Sequence, residues 1–266
     1  MNVPNFDTLK IEVSDDVVIV SMSRPDQLNA VSNNLLGDLI RLADWLKYCT
    51  NIHFMILDHE GAVFSAGAHL KEFHGILKDR DTSVDSLRLN QITATEMVRK
   101  MSNLEQITFA AIRGSAYGAG VGIAMTCDFR IMEENSKFNL PETKLGMFLT
   151  YGLTPSLVAT IGLSRAKEMI MFCEDWSAQK CYETGLVEHL CKPGEARARI
   201  NQLIEKLRVI DWQAIRIAKR VANSAAASIV NSPSTTEVEL VGYAIPAGNV
   251  AEHLSNFVNS QNKKNK

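Results

Sequence analysis

The feature that most constrains the fold is a unit that occurs twice: an apolar strand, a turn of small residues and the start of a helix. The first copy follows the buried strand HFMILDHE and is GAVFSAGAHLKEF, predicted as a strand, a small-residue turn and a helix start. The second is ITFAAIRGSAYGAGVGIAMTCDFRIM. Small residues let backbones approach closely, and strands that alternate with helices pair in parallel through crossovers. The chain is therefore predicted to form an α/β fold around a parallel sheet.

The flanking patterns divide the chain into two regions. Residues 9–23 mix apolar and polar residues and contain the β-rich run VVIVSMS. Ser32 is predicted to cap a helix that reaches about Lys47, and residues 83–103 have helical periodicity. After about residue 190 the β signal fades, and residues 198–221 and 234–258 look helical. We therefore predict an α/β core over residues 1–195 and a C-terminal helical region over residues 196–266.

Composition and charge argue against several classes of protein. The formal net charge of -2 provides no basic surplus for nucleic acid or for an anionic membrane surface. No apolar run is long enough to span a bilayer, and the N-terminus lacks the pattern of a signal peptide. The chain has 5 cysteines, an odd number, and none has CxxC spacing. We expect reduced thiols, a cytoplasmic location and no metal site.

Two small-residue turns, at residues 65–70 and 114–120, are the candidates for chemistry. Amides at a helix N-terminus are unpaired donors, and the helix dipole there favours negative charge. Two such turns facing each other could hold an oxyanion between two N–H groups. The alternative is that the small residues only allow helices to pack closely on strands, and either turn alone leaves both interpretations open. The glycine spacing does not favour a nucleotide-phosphate cradle.

The pair Pro141-Glu142 is the third candidate. Proline suits the first turn of a helix, so Glu142 could simply be a first-turn acid that the helix dipole favours. It could equally be an acid–base group, and its neighbours in the fold decide between the two roles.

Four motifs carry a resemblance to a known family. RPDQLNA, FSAGAHLKEF, GSAYGAGVGIAMTCDFRI and FNLPETKLG follow the order and approximate spacing of the crotonase (enoyl-CoA hydratase/isomerase) family, and the resemblance covers nearly the whole chain. It implies a ClpP-like spiral of ββα units with a C-terminal helical trimerisation region. It also implies an acyl-CoA thioester substrate, no cofactor besides the coenzyme A of that substrate, and a homotrimer or a dimer of trimers.

The resemblance also implies roles for particular residues. The backbone amides of Ala68 and Ala119 would be the oxyanion donors, and Glu142 would be the acid–base. Asp26, Leu28 and Ala66 fall where the family holds the adenine end of coenzyme A. The further positions expected to contact substrate are Gly67, His69, Leu70, Tyr117, Gly118, Pro141, Leu145 and Thr150. A surface or capping role for His69 is equally open.

One departure from the family pattern shapes the predicted reaction. Typical hydratases have a second glutamate at the position that Gly122 holds here, whereas double-bond-shifting isomerases keep only the glutamate that matches Glu142. The favoured reaction is therefore enoyl-CoA double-bond isomerisation, with apolar neighbours raising the pKa of Glu142. We also expect Phe148, Leu149 and Tyr151 to leave little room for an attacking water. The alternatives are an enoyl-CoA hydratase, a hydrolase or decarboxylase acting through the same enolate, and a catalytically weak acyl-CoA-binding protein.

Overall fold

The computed structural model describes residues 2–69 and 83–230, together with residues 240, 252 and 256. The strands are β1 (Leu9–Ser14), β2 (Val17–Met22), β3 (Phe54–His59), β4 (Ile107–Ile112), β5 (Ser115–Tyr117), β6 (Phe129–Glu133), β7 (Lys137–Asn139), β8 (Trp176–Ser177) and β9 (His189–Cys191). The α-helices are α1 (Asn33–Leu46), α2 (Ser83–Ser102), α3 (Ala119–Met125), α4 (Leu153–Ile161), α5 (Leu163–Phe172), α6 (Ala178–Glu183), α7 (Ala196–Arg208) and α8 (Trp212–Val230).

The larger sheet has six strands in the order β1-β2-β3-β4-β6-β9. The first two strands form an antiparallel hairpin, and every later pairing in this sheet is parallel. Parallel neighbours require crossover connections, which is why helical segments separate these strands along the chain. The predicted α/β fold with a parallel sheet is confirmed.

Both faces of the larger sheet are covered. Side chains alternate along a strand, so Met55 and Leu57 join the core beneath α1 and α2, whereas Phe54 and Ile56 pack on α7. This double burial explains why β3 reads as a continuous apolar run. A C-terminal helical region is confirmed, and its first helix begins at Ala196. Because that helix packs on the sheet, the division between residues 195 and 196 stays a prediction.

A second sheet of three strands, in the order β5-β7-β8, positions the later motifs. Parallel pairing joins Ser115 to Lys137 and Tyr117 to Asn139. The turn after Tyr117 and the segment after Asn139 therefore leave the sheet side by side. This pairing brings the second small-residue turn next to Pro141-Glu142.

Several local predictions are confirmed. Ser32 caps α1, and its side chain accepts a hydrogen bond from the amide of Leu35 at 3.2 Å. Helix α2 occupies the range predicted at 83–103, and the extended segment before Pro141 is β7. Within the described ranges, no helix has both the length and the apolar character needed to cross a bilayer.

The β-rich run VVIVSMS is confirmed as β2, and Asp15, whose φ is 52°, lies in the turn that separates β2 from β1. Two other local predictions need correction. The helix predicted at 198–221 is two helices, and the side chain of Asp211 accepts a hydrogen bond from the amide of Ala214 to begin the second. Residues 61–69 form isolated bridges rather than a strand, since Gly67 has a φ of 88° that interrupts extended pairing. The helix predicted to start near residue 70 and most of 234–258 lie outside the described residues.

Candidate active site

The two small-residue turns lie against each other. Ser65 and Ala116 form a parallel bridge, and the amide of Tyr117 donates to the carbonyl of Ser65 at 3.0 Å. A β-carbon placed on Gly67 would lie 2.8 Å from the carbonyl oxygen of Tyr117. Only glycine allows the two backbones to approach this closely at that point.

Each turn contains an alanine whose backbone amide has no partner among the described residues, Ala68 in the first and Ala119 in the second. Ala68 and Ala119 each stand three residues beyond one member of the bridged pair. The amides before them are used, since the amide of Gly67 donates to Ser65 Oγ at 3.2 Å and the amide of Gly118 donates to the carbonyl of Asn139 at 2.9 Å. Among the described residues, neither Ala68 nor Ala119 donates a backbone hydrogen bond. These N–H groups are available to a ligand.

Close packing explains other small residues of the same turns. A β-carbon on Gly120 would lie 2.6 Å from the β-carbon of Ser65, and one on Gly114 would overlap the carbonyl oxygen of Ala62. The packing interpretation therefore holds at these two glycines. It does not account for the unpartnered amides of Ala68 and Ala119.

Glu142 lies beside the second turn with an enclosed carboxyl group. It opens a 3-10 turn over Glu142–Leu145, directly after Pro141. The residue as a whole is half-buried, but its Oε2 is fully buried and has no hydrogen-bond partner in the described part of the chain. Burial raises the pKa of Glu142 from 4.5 to about 7. The predicted direction of this pKa is confirmed, and a carboxyl group with such a pKa can gain or lose a proton near neutrality.

The segment that carries Glu142 is tied to the end of α5. The hydroxyl of Thr143 donates to the carbonyl of Ile170 at 2.8 Å, and the ammonium of Lys144 donates to the carbonyl of Cys173 at 3.0 Å. The side-chain amide of Asn139 reaches the same Cys173 carbonyl at 3.1 Å. These side chains satisfy carbonyls that a helix leaves unpaired at its C-terminus. Sequence reasoning missed this support, because the partners lie far apart along the chain.

Gly122 faces a leucine rather than an open space. A β-carbon placed on Gly122 would overlap Leu153 Cδ1 and lie 3.1 Å from its Cγ. Leu153 is 2% exposed. Sequence reasoning expected Phe148, Leu149 and Tyr151 to occupy this region and did not single out Leu153.

The first loop joins the outer edge of the site. The amide of Ala66 donates to the carbonyl of Leu28 at 2.9 Å, and the hydroxyl of Ser65 donates to the carbonyl of Asn29 at 2.8 Å. Asp26, Leu28 and Ala66 are all exposed. The three positions predicted for the adenine end of coenzyme A therefore lie on one exposed edge, connected through the backbone.

The other predicted substrate positions are distributed around Glu142 and the two turns. His69 is half-buried, and its amide donates to the carbonyl of Val31 at 3.0 Å. Tyr117 is half-buried, and it pairs with Asn139 between β5 and β7. The remaining half-buried positions, on the segment around Glu142, are Pro141, Leu145 and Thr150. Leu70 lies outside the described residues.

Gly118 is the predicted position that approaches Glu142 most directly. A β-carbon on Gly118 would overlap Glu142 Oε1 and lie 3.3 Å from Cδ of the same carboxyl group. Gly118 is also the residue before the unpartnered amide of Ala119. The carboxyl group and the second turn thus form one continuous site.

A separate cavity of about 1160 Å³ lies between α8 and the ends of α1 and α2. Most of its charged side chains are in ion pairs, as in Lys100 with Asp44 at 2.5 Å and Arg216 with Glu105 at 2.7 Å. Paired charges leave little for a substrate to neutralise, so the Glu142 site is the better candidate. Within the described residues, no cluster of three or more His, Cys, Asp or Glu side chains is placed to hold a metal ion.

The fold and the site define a class: an α/β enzyme of the crotonase fold. The solved enoyl-CoA hydratase from Bacillus halodurans superposes with a TM-score of 0.86, covering 94% of this chain and 100% of that chain at 21% identity. An enoyl-CoA hydratase/isomerase structure from Mycobacterium paratuberculosis gives a TM-score of 0.85, covering 95% of this chain and 100% of that one at 22% identity. The predicted crotonase fold is confirmed.

Sequence comparison identifies the family. Residues 12–264 match the family model for enoyl-CoA hydratase/isomerase. The YngF protein of Bacillus subtilis (strain 168), named among the enoyl-CoA hydratases/isomerases, is 31% identical over 245 residues, covering 92% of each chain. The short-chain-enoyl-CoA hydratase of Clostridium acetobutylicum is 25% identical over 249 residues, covering 93% of each. The chain belongs to the enoyl-CoA hydratase/isomerase family.

Proposed function

We propose that this enzyme moves the double bond of an enoyl-CoA thioester, with Glu142 as its one acid–base group. The observation that carries the proposal is the placement of Glu142. Its carboxyl group is enclosed beside the second turn, whereas apolar Leu153 covers the neighbouring Gly122. A single carboxyl group can transfer a proton between two carbons of one substrate.

The unpartnered amides of Ala68 and Ala119 would stabilise the intermediate. Removing a proton next to a thioester carbonyl places negative charge on the carbonyl oxygen. Preorganised N–H groups stabilise such an oxyanion more than the neutral carbonyl, so they lower the barrier. Ala119 begins α3, and the dipole of a helix N-terminus acts in the same direction.

The proton balance needs only Glu142. Its carboxylate takes a proton from the α-carbon of a 3-enoyl thioester, and the electron pair spreads over a dienolate that ends on the carbonyl oxygen. The carboxylic acid then returns the proton to the γ-carbon, which leaves the double bond between the α- and β-carbons. A pKa near 7 suits a group that must first accept and then donate a proton.

Coenzyme A would enter as part of the substrate, with no separate cofactor. Support comes from the exposed edge formed by Asp26, Leu28 and Ala66, where the backbone of Ala66 is already held by Leu28. An adenine ring could lie on this edge while the thioester reaches the two turns. A free carboxylic acid would lack these contacts, so the thioester should bind far more tightly in calorimetry.

Hydration is the second candidate, because similar proteins carry hydratase names. Product analysis in deuterated water with matched 2-enoyl and 3-enoyl thioesters decides between the two. Isomerisation predicts double-bond migration with deuterium exchange and little 3-hydroxyacyl product. Efficient formation of the 3-hydroxyacyl thioester would instead establish a hydratase. Free acid or loss of carbon dioxide would indicate a hydrolase or decarboxylase, and binding without conversion an acyl-CoA-binding protein.

A Glu142→Gln variant tests the assignment of the acid–base. It keeps the shape of the side chain and removes the titrating group, so isomerisation should fall by about 10²- to 10⁴-fold. Glu174→Gln changes an exposed glutamate and serves as the control. Equal activity in the two variants would show that another group moves the proton.

We also propose that the chain assembles as a homotrimer or a dimer of trimers. Support comes from an apolar stripe along α8, where Ile217 is 55% exposed and Val221 is 63% exposed, one helical turn apart. Closed symmetry is the rule for soluble oligomers. Light scattering over a broad concentration range should give a trimer or hexamer, and Val221→Glu should weaken it. A monomer throughout would contradict the proposal.

A further inference from the structure

Gly118 of the second turn and Gly122 of α3 show what surrounds the acid–base group. The amide of Gly122 donates to the carbonyl of Gly118 at 3.2 Å, which closes the first turn of α3. The β-position of Gly118 faces the carboxyl group of Glu142, and that of Gly122 faces the methyl groups of Leu153. Because these two glycines are four residues apart, about one helical turn, the carboxyl group and the leucine side chain adjoin the same short segment of the chain.

We propose that Leu153 determines the reaction by filling the space in which a water molecule would otherwise be held beside Glu142. This inference deepens the proposed function and rests on it. Water that adds to a 2-enoyl thioester must lie within hydrogen-bond reach of the base. A buried water also needs two or more polar partners, and an isobutyl group supplies none. The site therefore transfers protons between carbons and does not add water.

The backbone before Leu153 holds the side chain in place. Tyr151 and Gly152 have φ values of 67° and 70°, so two consecutive residues turn the chain sharply before α4. Leu153 is the first residue of that helix, and its amide donates to the carbonyl of Thr150 at 3.3 Å. The result is a side chain that is 2% exposed and packed on α3.

The same contact means that the residue types at positions 122 and 153 depend on each other. A β-carbon on Gly122 would overlap Leu153 Cδ1 and stand 3.2 Å from Cδ2, so any larger residue at 122 competes with the leucine for one space. A carboxylate at position 122 would need a small residue at position 153. Gly122→Glu alone should therefore disturb packing without creating a hydration site.

The test compares Leu153→Ala with Leu157→Ala. Both remove the same atoms from buried leucines of α4, but Leu157 lies one turn further along the helix. The ratio of hydration to isomerisation should rise by about tenfold or more in Leu153→Ala, comparable with the effect of small changes in pocket volume on specificity. The ratio in Leu157→Ala should match that of the unchanged protein.

A second measurement needs no substrate and no turnover. Infrared difference spectra between each protein and its Glu142→Gln counterpart follow the titration of the Glu142 carboxyl group. The pKa should be about 7 in the unchanged protein and in Leu157→Ala. It should be lower in Leu153→Ala, because entering water solvates the carboxylate.

The two measurements separate this inference from the proposed function. Absence of isomerisation in the unchanged protein would refute the proposed function, and the carboxyl titration would still decide whether Leu153 excludes water. If Leu153→Ala matches Leu157→Ala in either the product ratio or the titration, the inference is overturned. Should Leu153→Ala fail to fold by circular dichroism, Leu153→Val removes fewer atoms from the same space and must shift the product ratio and the titration in the same directions.

Discussion

The α-carbon of Gly118 lies against the carboxyl group of Glu142, so that a β-carbon at position 118 would overlap Oε1 and stand 3.8 Å from Oε2. Gly118 has a φ of 46° and a ψ of -117°, which side-chain-bearing residues rarely adopt. The residue that allows the chain to turn into α3 therefore also leaves room for the acid–base group. A change at Gly118 should affect both.

Gly118→Ala should lower turnover by about 10²-fold or more, because displacement of a catalytic group by about 1 Å has an effect of this size. Steady-state kinetics, normalised to the folded fraction, measures this loss. The control is Gly185→Ala, where φ is 79° and no atom lies within 4 Å of the added carbon. Both variants should lose about 1–2 kcal/mol of stability from backbone strain. Equal turnover in the two variants would contradict the role of the Gly118–Glu142 contact.

Ala119→Pro should abolish one oxyanion donor while keeping the fold. Proline is favoured at the first position of a helix, and Ala119 holds that position in α3. Its amide has no partner among the described residues, so no hydrogen bond of the fold is lost. Turnover per folded molecule should fall by about 10²- to 10³-fold.

Leu163→Pro is the matched control for Ala119→Pro. Leu163 is the first residue of α5, and a glycine precedes it as well. This variant should keep its turnover. If Ala119→Pro loses stability but not turnover per folded molecule, the second turn serves packing alone.

Glu142→Gln should make the protein more stable at neutral pH. The folded-state pKa of about 7 exceeds the ordinary value of 4.5, so the folded protein binds more protons than the unfolded chain between these values. The contribution of Glu142 to stability is therefore lost as pH rises from about 4.5 to 7. The variant lacks this loss and should gain up to about 3 kcal/mol over the unchanged protein above pH 7.

Urea unfolding of both proteins at pH 5 and pH 8 measures the gain from Glu142→Gln. The difference in unfolding free energy between variant and unchanged protein should be larger at pH 8. A difference that does not change with pH would mean that the carboxyl group is solvated in the folded state.

Lys219→Met should destabilise the attachment of α8 to the core. The Lys219 ammonium lies 2.7 Å from Asp128 Oδ2, donates to the carbonyl of Gln106 at 2.6 Å, and belongs to a side chain that is only 8% exposed. Removing one member of a buried pair leaves the other charge buried without a partner, which lowers the free energy of unfolding by about 3–5 kcal/mol.

The comparison for Lys219→Met is Arg99→Met, which breaks an exposed ion pair with Glu96 on α2. That change should cost no more than about 1 kcal/mol. Thermal unfolding of the two variants at one pH gives the comparison. Similar losses in both would show that Lys219 is solvated and that α8 is held by other contacts.

The sequence by itself determined the features that depend on local spacing. The apolar run of β3, the cap at Ser32 and the small-residue turns predicted elements that the structure contains, because strand and helix periodicities and capping preferences act over a few residues. The ordered motifs also identified Glu142 and Gly122 as the positions that distinguish double-bond isomerases from hydratases. The broken helix near residue 210 escaped prediction, because its apolar periodicity continues through Asp211 while the side chain of that residue begins a new helix.

Only the tertiary structure decided what lies next to what. The close approach of Gly118 to Glu142, and of Gly122 to Leu153, joins segments that the pairing of β5 with β7 and the turn before α4 bring together. Burial without a partner, which raises the pKa of Glu142 to about 7, is likewise a property of the assembled site. Local patterns carry no information on such contacts. Packing between distant segments depends on the register of the whole sheet and on the direction in which each turn orients the side chain that follows it.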